Sequence, residues 1–247
     1  MTDIHAHILP GIDDGAESIE DSAAMASLAL ESGVCSVIAT PHCDIPGDDR
    51  ADPSLLRRGV RNLQTELAAK GIPLKVYAGM EIFGTPYTAE RLKNGLLMTL
   101  ADSRYPLIEF PLKDYGTEAT RILDSVLKSG FTPIVAHPER YRYVQNEPKL
   151  LNLWTDMGCI MQMNRGSVLG RFGARTQALA EGMLERGFVG LIASDAHSSS
   201  ARTTWMRDVW ELLCRARSTE YAELLLRERP ESIIEDKRID IDDPEWF

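Results

Sequence analysis

Cysteine is scarce in this sequence and follows no pattern. The four residues, Cys35, Cys43, Cys159 and Cys214, form no CxxC pair and no framework spacing. Scattered thiols in a chain of 247 residues exclude a disulfide-stapled scaffold and fit a reducing compartment. Long apolar runs are missing as well. No stretch approaches the ~20 residues of a membrane span, and no signal peptide precedes the first motif, which begins by His5. The expectation is a cytoplasmic protein with no membrane insertion. Positive charge is in deficit, with 27 Lys and Arg against 37 Asp and Glu, a formal net charge of −10, and no basic run offsets it. Such a surface repels phosphate backbones, so no nucleic-acid partner is expected. Nothing in the spacing sets an oligomeric state.

What remains is ample material for a core. Hydrophobic residues make up 44% of the chain and charged ones 26%, enough for a full-sized core, and the length fits one large α/β domain as well as two small ones. Short apolar, β-rich runs at Ile4–Leu9, Ser36–Pro41, Leu74–Glu81, Tyr105–Phe110, Thr132–His137, Cys159–Asn164 and Val189–Ser194 read as strands. Helical patterns lie between them, near 18–32, 53–70, 117–129, 147–157, 174–186 and 202–215, with a shorter one at 88–95. Ser18 with Asp21 resembles a capping box, and Gly33 and Gly130 sit where helices should stop. Residues 217–247 read as one more helix and a charged, proline-containing end. No low-complexity linker interrupts 1–215, so the chain is read as a single domain, 1–247.

Strands alternating with helices predict an α/β fold with a largely parallel sheet. The polar residues choose between an open sheet and a closed barrel. His5/His7, His42, Glu81, Glu109, His137 and Asp195/His197 fall at or just beyond the C-terminal ends of six different strands. In a barrel those ends converge on one face, whereas an open sheet spreads them along an edge. A TIM-like barrel is expected.

All five histidines of the chain belong to that set. A lone histidine at a strand end is more often a hydrogen-bonded rim residue than a ligand, and HxH alone is a weak motif. All five at strand ends, each near a carboxylate or another histidine, point instead to one metal site. His5-Ala6-His7 sets two imidazoles on the same side of a strand. Asp13 and Asp14 follow in a glycine-bearing loop, and Asp14 is the chosen ligand. Imidazole and carboxylate together suit manganese, iron or zinc. The set His5, His7, Asp14, His42, Glu81, Glu109, His137, Asp195 and His197 exceeds the about four donors that a tetrahedral zinc takes. Two or three cations sharing a bridging carboxylate would use it, with Glu81 a reasonable bridge. Four ligand carboxylates against three divalent cations leave a pocket of roughly +2, which attracts a phosphate dianion despite the acidic exterior. Arg140, three residues after His137, and Arg202, five after His197, offer bidentate recognition of phosphate oxygens.

Cys159 and Arg165 are spaced as C-x5-R, the pattern of cysteine-dependent tyrosine phosphatases. That chemistry needs a glycine-rich loop entering a helix, so that amides cradle phosphate and acidify the thiol. The intervening residues, Ile160 to Asn164, read as a strand, and the match is taken as coincidental. Cys43, beside His42, reads as a packing residue rather than a soft ligand.

The ordered set DIHAHILPGIDDGA, IATPHC, AGMEI, IEF, VAHPERY and ASDAH resembles the polymerase-and-histidinol-phosphatase (PHP) superfamily. More narrowly it is similar to the bacterial tyrosine-protein phosphatases encoded with capsule or exopolysaccharide genes, over about residues 1–215. The resemblance implies a distorted (β/α)7 barrel and three divalent metal ions, often Mn2+. Carried over position by position, it implies the same nine ligands, with Arg140 and Arg202 holding phosphate. It also implies a substrate, the phosphorylated C-terminal tail of a bacterial tyrosine kinase. Two positions depart from the pattern: Cys43 replaces an expected histidine or aromatic, and Arg202 is followed by Thr203-Thr204-Trp205 rather than proline. The expected reaction is metal-assisted phosphomonoester hydrolysis, with Asp195 or His197 aiding departure of the phenolate. Alternatives are a small phosphoester such as histidinol phosphate, a metal-assisted amide hydrolysis, or a non-catalytic metal-binding regulator.

Overall fold

In the computed structural model, which describes residues 1–43, 52–241 and 243–247, eight of nine strand segments fall on the seven predicted strand regions, and the other lies just past the second. β1 (Thr2–Ala6) is followed by β2 (Ser36–Ala39), and β3 (His42–Cys43) continues β2 beyond Pro41. β4 (Lys75–Ala78) continues in the same way as β5 (Glu81–Phe83). Single segments make up β6 (Leu107–Glu109), β7 (Ile134–Ala136), β8 (Ile160–Asn164) and β9 (Val189–Ala193). The two breaks have local causes. Pro41 has no N–H to give to a ladder, and its carbonyl accepts from Glu81 N at 3.1 Å instead. At Gly79 a Cβ would lie 2.9 Å from Ile38 Cγ2, so the backbone there runs too close to its neighbour for a side chain.

All pairings are parallel, as the alternation of strands and helices predicts. β1, β2 and β4 form one sheet, and β3, β5, β6, β7, β8 and β9 form the other in that order. β1 also lies beside the end of β9. Ala6 and Ala196 form a parallel bridge, Asp195 N donates to His5 O at 2.9 Å, and His7 N donates to Ala196 O at 2.8 Å.

The helices are α1 (Ile19–Glu31), α2 (Pro53–Ala69), α3 (Thr88–Lys93), α4 (Gly116–Lys128), α5 (Arg142–Asn146), α6 (Lys149–Asp156), α7 (Arg165–Val168), α8 (Ala174–Arg186), α9 (Arg207–Ala216), α10 (Thr219–Glu223) and α11 (Arg229–Ile234). The capping box of α1 is formed: Ser18 Oγ accepts from Asp21 N, and Asp21 Oδ2 accepts from Ser18 N, both at 3.1 Å. Gly33 and Gly130 take left-handed φ values of 94° and 90° just past the ends of α1 and α4. The last predicted helix before the tail begins five residues late, at Arg207 rather than 202. The carbonyl of Arg202 is occupied by the N–H groups of His197 and Ser198, at 2.8 and 3.1 Å, which closes 197–202 into a turn.

Most of the apolar interior lies where helices cover strands, in a cluster that includes Val37, Leu56, Ile82, Trp154, Met183 and Phe188. A smaller cluster on the other side of the strands gathers Leu107, Ile134, Ile160 and Leu191, with Ile233 from α11. Each fully buried side chain of this size contributes about 1.5–3 kcal/mol by leaving water. Strand alternation is plain in β8: Met161 and Met163 join the large cluster, while Ile160 joins the small one. On that same second side, at the C-terminal ends of the strands, apolar residues give way to polar ones.

Candidate metal centre

The strand register brings the predicted residues together. His42 and Glu81 are Cα partners across β3 and β5, and Phe83 pairs with Glu109 across β5 and β6. His42 Nδ1 therefore lies 3.2 Å from Glu81 Oε2 and 2.8 Å from Glu109 Oε1. From β1, His5 Nε2 and His7 Nε2 approach the same Glu81 Oε2 to 3.1 and 3.2 Å. Asp195 Oδ1 completes this group at 3.4 and 3.5 Å from the two imidazole nitrogens.

His137 and Asp195 both adopt a left-handed backbone, with φ of 36° and 51°. For residues bearing a Cβ this conformation costs on the order of 1–3 kcal/mol, and it turns the side chains out of the strand direction. His137 Nε2 then meets Glu81 Oε1 at 2.9 Å. Beside it Tyr141 is fully buried, its hydroxyl donating to Ala136 O at 2.7 Å and accepting from Phe110 N at 3.0 Å. That phenol ties the ends of β6 and β7, and burial pushes its pKa well up.

The loop after β1 supplies two carboxylates with different roles. Asp13 Oδ2 accepts from His7 Nδ1 at 2.6 Å and from His42 N at 2.9 Å, which fixes the His7 ring with Nε2 inward. Asp14 Oδ1 faces His42 Nε2 and His197 Nε2 at 3.6 and 3.4 Å, on a side chain that is 65% exposed. Gly15 makes the close approach possible, since a Cβ there would lie 2.1 Å from His7 O.

Eight of the nine predicted residues thus fall into three overlapping donor groups: His7, Asp14, His42 and His197; His5, His7, Glu81 and Asp195; and His42, Glu81 and Glu109. Glu81 belongs to two of them, as a bridging carboxylate would. His137 stands outside the groups but touches Glu81.

The chemistry of the set fits divalent cations. His137 Nδ1 is buried with no hydrogen-bond partner, His42 Nδ1 and Glu81 Oε2 are buried against each other at 3.2 Å, and His5 Nε2 faces His7 Nε2 at 3.4 Å. Such lone pairs are costly to bury unless a positive charge meets them. Without metal, protons take that place. Burial opposes charge on His42, but the Glu109 and Glu81 carboxylates outweigh it and lift the imidazole to about 9. Burial likewise opposes charge on His5 and His7, yet Glu81 raises the former, and bonds to Asp13, Asp195 and Glu81 raise the latter. The facing carboxyls of Glu81 and Asp195 are held well below their usual range despite burial, by His5 above all. His197 goes the other way. Burial and the nearby His7 push it down to about 4, so it is neutral.

Both predicted arginines reach this cluster. Arg140 Nη1 donates to Asp195 Oδ2 at 3.2 Å, and Arg202 Nη2 pairs with the same oxygen. Arg202 Nη1 also lies 3.3 Å from His197 Nε2. Phe172, between α7 and α8, stands under both guanidiniums at 4.5 and 5.9 Å. Sequence reasoning did not find Phe172, nor Gln162 and Asn164 of β8, which touch His5 and Asp195. An amide in an apolar strand and an aromatic in a glycine-flanked loop carry no local signature of their own.

The C-x5-R pair builds no second phosphate site. Cys159 is buried, with its thiol pushed up to about 12, and Arg165 makes a forked ion pair with Asp208 at 2.7 and 2.6 Å. Cys43 is buried, with Sγ 3.2 Å from Pro41 O. No described helix is long and apolar enough to cross a membrane.

Comparison with known proteins adds four findings. Residues 1–235 match the family model described as capsular polysaccharide synthesis, CpsB/CapC. The tyrosine-protein phosphatase YwqE of Bacillus subtilis (strain 168) is 35% identical over 234 residues, 92% of each chain. The tyrosine-protein phosphatase CpsB of Streptococcus pneumoniae is 32% identical over 249 residues, covering 97% of this chain and 100% of that one. The fold superposes with a TM-score of 0.94, at 32% identity and 100% and 99% coverage, on a chain from crystal structures of YwqE and CpsB, described there as unique metal-dependent tyrosine phosphatases.

Proposed function

This chain belongs to the capsular polysaccharide synthesis CpsB/CapC family, and on that premise we infer that it is a metal-dependent tyrosine-protein phosphatase acting in capsule synthesis. The observation that carries the reading is the double duty of Asp195. Its Oδ1 faces His5 and His7, while its Oδ2 holds Arg140 and Arg202. One carboxylate joins a donor cluster suited to cations with a guanidinium pair suited to phosphate.

The metal holders in this reading are His5, His7, Asp14, His42, Glu81, Glu109, His137, Asp195 and His197, around three divalent ions. Manganese is the preferred ion, and iron, cobalt and zinc suit the same donors. Cations bound there supply Lewis acidity and a water acidified enough to attack phosphorus near neutral pH. The remaining work falls to the chain. Arg140 and Arg202 exchange Asp195 Oδ2 for the equatorial oxygens of an incoming phosphate dianion and spread the charge that develops on them. His197, neutral and 3.3 Å from Arg202, stands with Asp195 where a proton is to be managed at the leaving oxygen. A phenolate, whose conjugate acid has a pKa of ~10, leaves with little such help.

The substrate class is a tyrosine-phosphorylated protein. The narrower proposal is the phosphorylated C-terminal tail of a bacterial tyrosine kinase controlling polysaccharide export, met in the cytoplasm. An extended tail suits a site whose deepest donors, His5, His7 and Glu81, are fully buried, because only a thin segment brings its phosphate that far in. The scaffold in this reading is a distorted (β/α)7 barrel forming one domain over 1–247, supported by the contact of β1 with the end of β9.

The decisive experiment strips the protein of metal and resupplies manganese, iron, cobalt and zinc one at a time while aryl-phosphate turnover is followed. Activity that returns with metal, and that favours phosphotyrosine peptide over phosphoserine peptide and histidinol phosphate, supports the reading. Bound metal with no turnover of any of these esters replaces it with a non-catalytic regulator.

A further inference from the structure

Every strand position of this fold gives at least one side chain to the donor cluster except β8. Yet β8 places Gln162 and Asn164, both fully buried, on the side opposite Met161 and Met163. Gln162 Oε1 lies 2.9 Å from His5 Nδ1. Gln162 Nε2 donates to Asn164 Oδ1 at 2.9 Å, and Asn164 Nδ2 donates to Asp195 Oδ2 at 2.5 Å. Three hydrogen bonds, all buried, connect His5 to Asp195 through two amides.

The polarity of this chain is forced. Asp195 Oδ2, which also receives two guanidiniums, only accepts, so Asn164 must turn its NH2 toward it. The carbonyl end of Asn164 then faces Gln162 and requires the NH2 of that residue. Gln162 is left with its oxygen toward His5, and an oxygen there requires a proton on Nδ1. The neutral His5 ring is thereby held with Nε2 bare, and Nε2 is the atom 3.1 Å from Glu81 and 3.4 Å from Asp195. Reversing either amide would set oxygen against oxygen inside the protein. Asn164 is itself anchored: its backbone N–H donates to Glu139 Oε1 at 3.0 Å, and Ser167 Oγ donates to the same oxygen at 2.6 Å.

We propose that Gln162 and Asn164 are positioning residues that set the tautomer of His5 and the rotamer of Asp195. The proposal rests on the metal-phosphatase reading for its purpose, though not for its test. The Asn164 amide serves a second end. When the two guanidiniums turn to phosphate, it is the donor that remains on Asp195 Oδ2 and keeps Oδ1 aimed at the imidazoles.

The test uses the full chain loaded with zinc, which is diamagnetic, and reads the ring 15N shifts of His5 by NMR together with zinc affinity by competition with a chelator. Native protein should show a single Nδ1–H tautomer. Gln162→Leu should mix the tautomers and weaken zinc binding by roughly 10–100-fold. Gln162→Glu keeps an acceptor for His5 and should keep the Nδ1–H tautomer, while its second oxygen faces Asn164 Oδ1 and leaves zinc binding weakened. A merely structural role for Gln162 predicts that the glutamate variant shows no more of the Nδ1–H tautomer than the leucine variant. Gln162→Met, closer in shape, serves if the leucine variant does not fold. The proposal is overturned if the leucine or methionine variant keeps the Nδ1–H tautomer and binds zinc within about twofold of native protein. Failure of native protein to hydrolyse aryl phosphate would overturn the phosphatase reading alone, because neither the ring shifts nor the zinc titration depends on turnover.

Discussion

The guanidinium carbon of Arg140 sits 4.5 Å from the centre of the Phe172 ring, which also lies 5.9 Å from that of Arg202. A ring face at this distance attracts the cation and stiffens a long side chain. Phe172→Leu keeps an apolar contact and removes the π face, a loss of about 1 kcal/mol. KM for an aryl phosphate should rise roughly fivefold, with a smaller change in kcat and metal content unaltered. An unchanged KM would show that the ring contributes nothing to holding Arg140.

His137 reaches the cluster through one close contact, Nε2 to Glu81 Oε1 at 2.9 Å. His137→Ala leaves that oxygen without its partner and removes a donor. Turnover should fall by at least ~100-fold, and bound metal, counted by mass spectrometry of the ashed protein, should drop. Activity retained with metal still bound would remove His137 from the machinery.

Chelation and thiol modification should have opposite outcomes. A strong chelator is expected to abolish turnover, and manganese to restore it. Iodoacetamide should leave turnover intact in the native protein, since the buried Cys159 thiol is pushed up to about 12 and Arg165 is engaged by Asp208. Loss of activity in proportion to Cys159 alkylation would contradict the metal mechanism.

The metal-free protein should respond to pH through His42. Its folded pKa, raised to about 9, lies above the ordinary imidazole value of ~6.5. A raised pKa stabilises the folded state fully below about pH 6.5, and this stabilisation is lost as pH rises through about 9. His5 and His7 are raised too and act in the same direction. Thermal melts of stripped protein should therefore move down between pH 6.5 and 9. Metal must displace those protons, so its affinity should climb over the same interval, with proton release visible by calorimetry in buffers of different ionisation enthalpy. A flat stripped-protein melt across this window would mean that the imidazoles are already neutral.

Gly15→Ala tests the loop that carries Asp13 and Asp14. The new methyl would meet His7 O at 2.1 Å, a contact that only backbone movement relieves. Destabilisation of about 1–3 kcal/mol is expected, along with weaker metal retention, because Asp13 orients His7. A melt and metal content equal to the native protein would show that the loop yields freely.

Much of this arrangement was legible in the sequence because a charged residue ending an apolar run is a local pattern. His42, Glu81, Glu109, His137 and Asp195 each stand at such an end, and parallel pairing brings neighbouring ends together without further information. What escaped depends on conformation or on distant partners. The left-handed turns at His137 and Asp195 occur at residues that seldom adopt them. Gln162 and Asn164 gain meaning only once β8 lies between β7 and β9, beside a histidine 157 positions away. The late start of α9 follows from two N–H groups claiming the Arg202 carbonyl, a tertiary choice that helical periodicity does not encode.

The interruptions at Pro41 and Gly79 leave the strands in two sheets, and the donor groups straddle them: His5 and His7 extend from one, Glu81 and Asp195 belong to the other. Cations seated among these residues would act as rivets across a seam that few backbone bonds cross, among them Asp195 N to His5 O and His7 N to Ala196 O. Loading the site should therefore slow amide exchange in β1 and β5 together, at positions that share no ladder. In the proposed metal-loaded state the same ions would then supply rigidity and catalytic competence together.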